Sequence, residues 1–292
     1  MSESNPIRVA GAQIEPRLGD VAANRALILA RLGQAAEAGA RLVVFPECAL
    51  TGYGFESKSE AWDHAEPIPG PSVVEIADAC ARLGTHAIVG MLERDGDRLF
   101  NAAVLVGPAG LVGSYRKVHL PFLGVDRFAD PGDRPFAVHD AGGVRVGMHT
   151  CYDGSFCEVG RTLMLLGADL LVLPTNWPTH AECAAEHMMA TRAMENVVYA
   201  IAVNRVGEER GFRFIGQSSI HDPNGTRLAY AGPDREEMIF ADIDPERARR
   251  KRQVRVPGKH EIDRVADRRP SFYGEIVRIK EMKRIGPQMD RD

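Results

Sequence analysis

Three short segments of this 292-residue chain place reactive side chains where a fold can use them. The first is VVFPECALTGY, residues 43–53, in which an apolar run ends at Phe45 and Glu47 follows almost at once. A carboxylate held against the end of an apolar strand is partly desolvated, which raises its proton affinity and suits it to general-base work near neutral pH. The alternative is an acid that caps the next loop. The second segment is GSYRKVHLP, residues 113–121, where Lys117 offers positive charge to a developing oxyanion. Its alternative is a basic, solvent-facing edge strand with Tyr115, Lys117 and His119 on one face. The third is RVGMHTCYDGSFCEVGR, residues 145–161. A strand runs into Cys151, a tight turn follows at Asp153–Gly154, and a helix starts near Phe156. Nucleophilic serines are presented by such a strand–nucleophile–helix elbow, and the next backbone N–H, here that of Tyr152, then helps to form an oxyanion hole. A cysteine near a helix start and a lysine is expected to have its thiolate favoured. The alternative is a buried, inert core cysteine.

Positioning these side chains falls to an alternation of short apolar runs and stretches of helical period. Strands are predicted at 7–14, 41–45, 87–93, 100–106, 111–118, 144–150, 170–173, 199–206, 218–221, 227–231 and 238–243, with helices at 24–38, 71–83, 158–166 and 181–196. Gly39 supplies a stop signal for the first helix. This alternation makes an α/β protein. The two halves share a rhythm that suits a two-sheet sandwich with helices outside, and a single doubly wound sheet suits it nearly as well. No Gly/Ser or Pro tract separates the halves, so residues 1–292 read as one domain. From about residue 257 the chain is charged and irregular, with a short helical pattern near 274–282, and is expected to pack on the body or on a partner subunit.

Composition narrows the class. Lysine and arginine number 36 against 40 acids, a net charge of −4, which argues against a dedicated nucleic-acid binder. The five cysteines (Cys48, Cys80, Cys151, Cys157 and Cys183) are odd in number and irregularly spaced, so neither a disulfide framework nor a CxxC zinc site is expected. The N-terminus lacks a signal-peptide pattern, and no apolar run reaches the roughly 20 residues that span a bilayer. The expectation is a reduced, cytoplasmic protein.

Taken in order, the three segments resemble the nitrilase superfamily. Its pattern of Glu in FPE, Lys in RKxHL and Cys in CYDxxFPE is met by FPE at 45–47, RKVHLP at 116–121 and CYDGSFCE at 151–158. Further matches are GADLLVLPTNWP (167–178), ATRAMENVVYAIAVNRVG (190–207), GQSSIHDPNG (216–225) and ADID (241–244), so the resemblance spans about residues 7–245. It implies a four-layer α-β-β-α sandwich, no metal or organic cofactor, and a homodimer or higher even-numbered oligomer. It also implies roles: Glu47 as base, Cys151 as nucleophile, and Lys117 with the Tyr152 N–H as oxyanion donors. Many members carry a second glutamate that orients the lysine. None stands between Lys117 and Cys151 here, and Asp126 is the candidate replacement, with Asp130 and Asp133 behind it. Cys157 stands where the family usually has proline and is read as structural.

The residues after the nucleophile bear on substrate. Tyr152 and Asp153 resemble amide-cleaving branches rather than nitrile-cleaving ones. Branches that bind a substrate carboxylate often place arginine three or four residues after the cysteine, where this chain has Gly154 and Ser155. A small neutral amide is therefore expected, with an N-carbamoyl amine or amino acid as the main rival and a nitrile-cleaving enzyme or an inactive binding scaffold as further ones. Tyr53, Asn176 and Trp177 are the candidate pocket residues; core packing is the alternative for Trp177.

Overall fold

A computed structural model of the chain describes residues 6–278. In chain order the elements are β1 (Ile7–Gln13), α1 (Val21–Glu37), β2 (Leu42–Val44), α2 (Lys58–Trp62), α3 (Pro71–Leu83), β3 (His86–Asp95), β4 (Arg98–Gly107) and β5 (Gly110–Arg116). There follow β6 (Val138–Asp140), β7 (Arg145–Met148), α4 (Cys157–Leu165), β8 (Leu170–Thr175), α5 (Glu182–Asn196) and β9 (Tyr199–Asn204). The next group is β10 (Val206–Glu209), β11 (Phe212–Ile215), β12 (Ser219–His221), β13 (Arg227–Tyr230), β14 (Glu237–Ile243) and α6 (Pro245–Arg249). A last pair of strands, β15 (Arg252–Val256) and β16 (His260–Asp263), closes the series.

Strand periodicity of two sends successive side chains to different cores. In β2, Leu42 and Val44 join one apolar cluster with Val9, Ile88 and Leu105, while Val43 joins another with Ala10, Val89 and Val104. The first cluster also holds Val146, Met148, Leu170, Val172, Ile201 and Val203, so it lies between two sheets. One sheet has the strand order β14-β1-β2-β3-β4-β5 and the other β13-β12-β9-β8-β7-β6. The second cluster packs the outer face of the first sheet against Ile28 and Leu32 of α1 and Val73 and Ile76 of α3. α4 and α5 lie over β8 and β9 of the other sheet. The result is a four-layer α-β-β-α sandwich. β2 pairs in parallel with β1 and β3, and β8 with β7 and β9, so these runs are buried on both faces and look continuously apolar in sequence.

Local chemistry fixes the helix ends. α1 begins three residues before the expected start because Asp20 caps it, its side chain accepting from the Ala23 N–H. α3 opens with Pro71 in its first turn and stops at Gly84, which adopts φ +64°. Short elements escaped the sequence reading: α2, α6, β6, and the β10–β11 hairpin, whose first residue Val206 had been assigned to the preceding strand.

The chain divides into two compact units at Arg249/Arg250. The break falls inside the basic run 246–255. Its first part is α6, fixed by Arg247 on Asp222 (2.7 Å) and Arg249 on Asp169 (2.8 Å). The second unit contains the antiparallel β15–β16 hairpin, where an irregular tail had been expected; its scarce apolar residues gave no pattern to read. Of the short helical pattern expected near 274–282, a single 3-10 turn at Gly274–Ile276 is present, and the part beyond 278 lies outside the described residues.

Two glycines let backbone approach the reactive segments. A Cβ on Gly90 of β3 would sit 2.4 Å from the Pro46 carbonyl oxygen and 2.7 Å from the Glu47 Cα. One on Gly132 would sit 2.2 Å from the Arg116 carbonyl oxygen, beside Lys117. Because the obstructing atoms are backbone, Gly90→Ala must displace the Glu47 turn. The expected cost is about 1–3 kcal/mol of stability, read by urea denaturation, together with a loss of at least about tenfold in kcat. A folded Gly90→Ala protein with normal kcat would show that the position of Glu47 tolerates this shift.

Candidate active site

The three segments of the sequence analysis converge on the ends of β2, β5 and β7, where open α/β sheets place their ligands. Glu47 follows β2 and is fully buried. Its Oε1 accepts from Lys117 Nζ and from Asn101 Nδ2, both at 2.7 Å, while Oε2 has no protein partner. Burial raises its pKa, the neighbouring Asp126 charge adds to the rise, and Lys117 and Asn101 offset part of it.

Lys117 is the first residue past β5 and is buried, not solvent-facing. Its backbone N–H donates to Asn101 O at 2.8 Å, and its ammonium donates to Glu47 and, at 2.6 Å, to Asp126 Oδ2. Burial alone would lower its pKa; Asp126, Glu47 and Cys151 together lift it well above the ordinary value. Asp126 lies in a 3-10 turn, Gly124–Arg127, and also accepts from Tyr53 Oη (2.8 Å) and Asn101 Nδ2 (2.9 Å). Of the other two acids named with it, Asp130 accepts from the Leu99 N–H and Asp133 pairs with Arg98 and Arg116, so neither joins this network.

Cys151 adopts φ +47°, a left-handed conformation that costs a non-glycine residue about 1–3 kcal/mol and is held only by its surroundings. It heads a 3-10 turn, Cys151–Ser155, and α4 follows. The structure corrects the expectation of a favoured thiolate. Burial, and secondarily Glu47, push the thiol up to about 12, against the opposing pull of Lys117, the Thr175 hydroxyl and the Asn176 backbone N–H. A lysine nearby does not compensate for a site that is buried and already holds two carboxylates. The Tyr152 N–H sits in the first turn of the 3-10 segment, where a helix supplies no acceptor of its own. The Tyr152 ring is partly exposed, edge-on to Phe156.

The proposed pocket residues separate. Asn176 follows β8 with both carboxamide atoms buried and without protein partners, and the adjacent Thr175 hydroxyl is likewise unpaired apart from its approach to the thiol. Tyr53 is buried, with its hydroxyl committed to Asp126 and the Leu123 carbonyl (3.1 Å), so its polar end serves the lysine's partner rather than a ligand. Trp177 is buried; its backbone N–H donates to Asn204 Oδ1 at 2.9 Å, and Pro178 bridges to Phe214 of β11. Gly154 faces inward: a Cβ there would meet Met188 Cε at 2.8 Å and Leu173 Cδ2 at 3.3 Å, so a larger side chain would have to displace the flexible end of Met188. Arg192 and Asn196 act as scaffold, Arg192 donating to Gly154 O at 3.1 Å and Asn196 to Arg192 O at 2.9 Å. Cys157 and Cys183 are exposed.

Sequence reasoning missed Asn101 and Thr175. Asn101 donates to both carboxylates and accepts from the Cys48 thiol at 3.6 Å. Its only signal was a lone amide inside the apolar strand LFNAAVLV.

Comparison with known proteins follows this geometry. The carbon-nitrogen hydrolase family model matches residues 8–253. A nitrilase of Pyrococcus abyssi is 39% identical over 268 residues, covering 91% of this chain and 99% of its own length. An (R)-stereoselective amidase of Pseudomonas sp. is 34% identical over 266 residues, covering 90% and 92%. An amidase from Nesterenkonia sp., solved with the acetamide moiety of fluoroacetamide on its active-site cysteine, has the same fold, with a TM-score of 0.76 at 22% identity over 93% and 97% of the two chains. The chain belongs to the carbon–nitrogen hydrolase family, in the amidase-like branch of the nitrilase superfamily, and is a hydrolase.

The shared ammonium gives a pH prediction. In Asp126→Asn the like charge that raises Glu47 is gone, and Lys117 pairs with Glu47 alone. Both changes make Glu47 easier to ionise, so the acid limb of the kcat/KM profile should move to lower pH while kcat falls. An acid limb that stays in place or moves up would contradict this account of Glu47.

Proposed function

We propose that this enzyme hydrolyses the carbon–nitrogen bond of a small, neutral carboxamide through a thioester on Cys151, releasing ammonia or an amine. The observation that carries the reading is the divided Glu47 carboxylate, with one oxygen held by Lys117 and the other unpaired beside a strained cysteine. Glu47 Oε2 takes the thiol proton as the sulfur attacks the amide carbon, because a resting thiol near pKa 12 must be deprotonated in the act of attack. Lys117 has three N–H bonds, two of them occupied by Glu47 and Asp126, so one remains for the oxyanion together with the Tyr152 N–H. The proton on Glu47 passes to the departing nitrogen. Water, deprotonated by the same carboxylate, then cleaves the thioester to acid and free thiol. Asn176, with its unpaired carboxamide, is the candidate partner for the substrate's polar atoms. No step calls on a metal or an organic cofactor.

A neutral substrate is supported by how the arginines are used. Arg205 is buried on Glu209 (2.7 Å), Arg127 donates to the carbonyls of Gly124 and Phe55, and Arg192 is held by Glu195. A carboxylate entering unpaired would face an uncompensated desolvation cost of several kcal/mol. The rival, an N-carbamoyl amino acid, is favoured by one residue: Arg213 is exposed on β11, beside the Trp177–Thr179 segment. In a side-by-side assay the neutral amide should have at least about tenfold higher kcat/KM than a carbamoyl acid of similar size, worth about 1.4 kcal/mol. Equal or better turnover of the carbamoyl acid, lost in Arg213→Ala, would establish the rival. Cys151→Ala should abolish turnover, whereas Cys157→Ala and Cys183→Ala should retain most of it; an acyl adduct trapped on Cys157 in mass spectrometry would overturn the assignment.

We propose a homodimer or higher even-numbered oligomer acting in the cytoplasm. Leu165 and Leu166 at the end of α4 and Met194 on α5 are apolar and exposed, which supports a partner on that helical layer. The five cysteines are free, as a reducing compartment requires. Among the described residues no helix is long and apolar enough to cross a membrane. A monomer in sedimentation at micromolar concentration would refute the assembly.

A further inference from the structure

The lysine segment and the nucleophile segment are tied to each other by a carboxylate outside the Glu47–Lys117–Cys151 set. Asp153 is fully buried. Its Oδ1 accepts from the backbone N–H of His119 (3.0 Å) and from His119 Nδ1 (2.8 Å). Its Oδ2 accepts from Tyr115 Oη (2.8 Å) and from the Thr150 N–H (3.0 Å). An ionised carboxylate only accepts, so His119 Nδ1 carries the proton. Burial would raise the pKa of Asp153, but the His119 ring, the Thr150 N–H, the Lys117 charge and the His119 N–H together hold it below the usual carboxylate range.

The sequence positions of these partners carry the argument. Tyr115 and His119 stand two residues before and two after Lys117. Thr150 and Asp153 bracket Cys151. One side chain therefore grips the lysine on both flanks and the strained cysteine on both flanks. The His119 ring stacks on Phe156 (centroids 3.7 Å apart, planes at 14°) and extends the same bridge. β5 and β7 lie in different sheets, so their ends have no backbone ladder between them to fix the distance from Lys117 to Cys151.

We propose that Asp153 is a positioning residue that sets the spacing of the Cys151 sulfur on the Lys117 ammonium across the two sheets, with Tyr115 and His119 as its arms. The proposal rests on the reading of Cys151 as nucleophile and Lys117 as its cationic partner. A loosened bridge lets the sulfur move away from the charge that favours its anion. The thiol then becomes harder to ionise, and the oxyanion loses its donor.

The test uses the full-length enzyme and four variants: Tyr115→Phe, His119→Ala, Asp153→Asn and Cys151→Ala. Tyr115→Phe and His119→Ala each remove part of one arm and leave the carboxylate in place, so they remain informative if Asp153→Asn fails to fold. Each is expected to lower kcat by about tenfold with KM within about twofold, and Asp153→Asn to lower it by about a hundredfold. Alkylation of Cys151 by iodoacetamide, followed on its own peptide by mass spectrometry across pH, should shift to higher pH in all three. A purely structural role would lower Tm and leave both kcat per folded molecule and the alkylation profile at wild-type values; that result overturns the proposal. Turnover by Cys151→Ala would instead overturn the underlying assignment of the nucleophile, whatever the Asp153 variants do.

Discussion

A single ammonium group, Lys117 Nζ, sits in a water-excluded site between two carboxylates, Glu47 and Asp126. Removing one partner of a buried, hydrogen-bonded charge set leaves an uncompensated charge that costs about 3–5 kcal/mol. The surrounding structure is therefore bound to keep three chain segments in place: the turn after β2, the end of β5 and the 3-10 turn that carries Asp126. Asn101 on β4 donates to both carboxylates, and Tyr53 donates to Asp126. Neither residue needs to touch a substrate for the site to depend on it.

One positive charge does not satisfy two negative ones equally. Asp126 takes a strong bond from the ammonium and one from a tyrosine, whereas Glu47 keeps a free oxygen and a raised proton affinity. The same enclosure that raises Glu47 also raises Cys151. A base of heightened affinity beside a thiol reluctant to ionise suits a proton transfer coupled to bond formation. This differs from a cysteine activated by a permanent thiolate. The left-handed Cys151 and the glycine contacts at Gly90 and Gly132 are backbone counterparts of the same demand, since they bring main chain closer to the reactive groups than side chains would allow.

Each sheet contributes half of the site. In one sheet Asn101 lies on β4, and Glu47 and Lys117 follow β2 and β5; in the other Thr175 ends β8, Asn176 follows it, and Cys151 follows β7. The apolar cluster between the sheets, with Val44 and Leu105 on one side and Met148 and Val172 on the other, is what fixes one half against the other. The extended apolar runs of these strands therefore serve the site as well as stability, because a shift between the sheets would separate Glu47 and Lys117 from Cys151.

The sequence by itself determined the strands and helices that have a strong period. The helix predicted at 71–83 has those ends in the structure because Pro71 and Gly84 are local signals. It also gave the order and type of the candidate reactive residues, since Glu47, Lys117 and Cys151 each stand at or just past the end of a predicted strand. It could not choose between one sheet and two, because period-two alternation states which residues face a core and not which core. Nor could it foresee the hairpin after Arg249, whose polar strands are paired by backbone bonds rather than by an apolar face. Only the tertiary structure decided the protonation behaviour of the site. Sequence placed a lysine near a cysteine and so suggested a thiolate. Folding buried that cysteine beside Glu47, and desolvation, which depends on everything packed around a group, outweighed the single favourable charge.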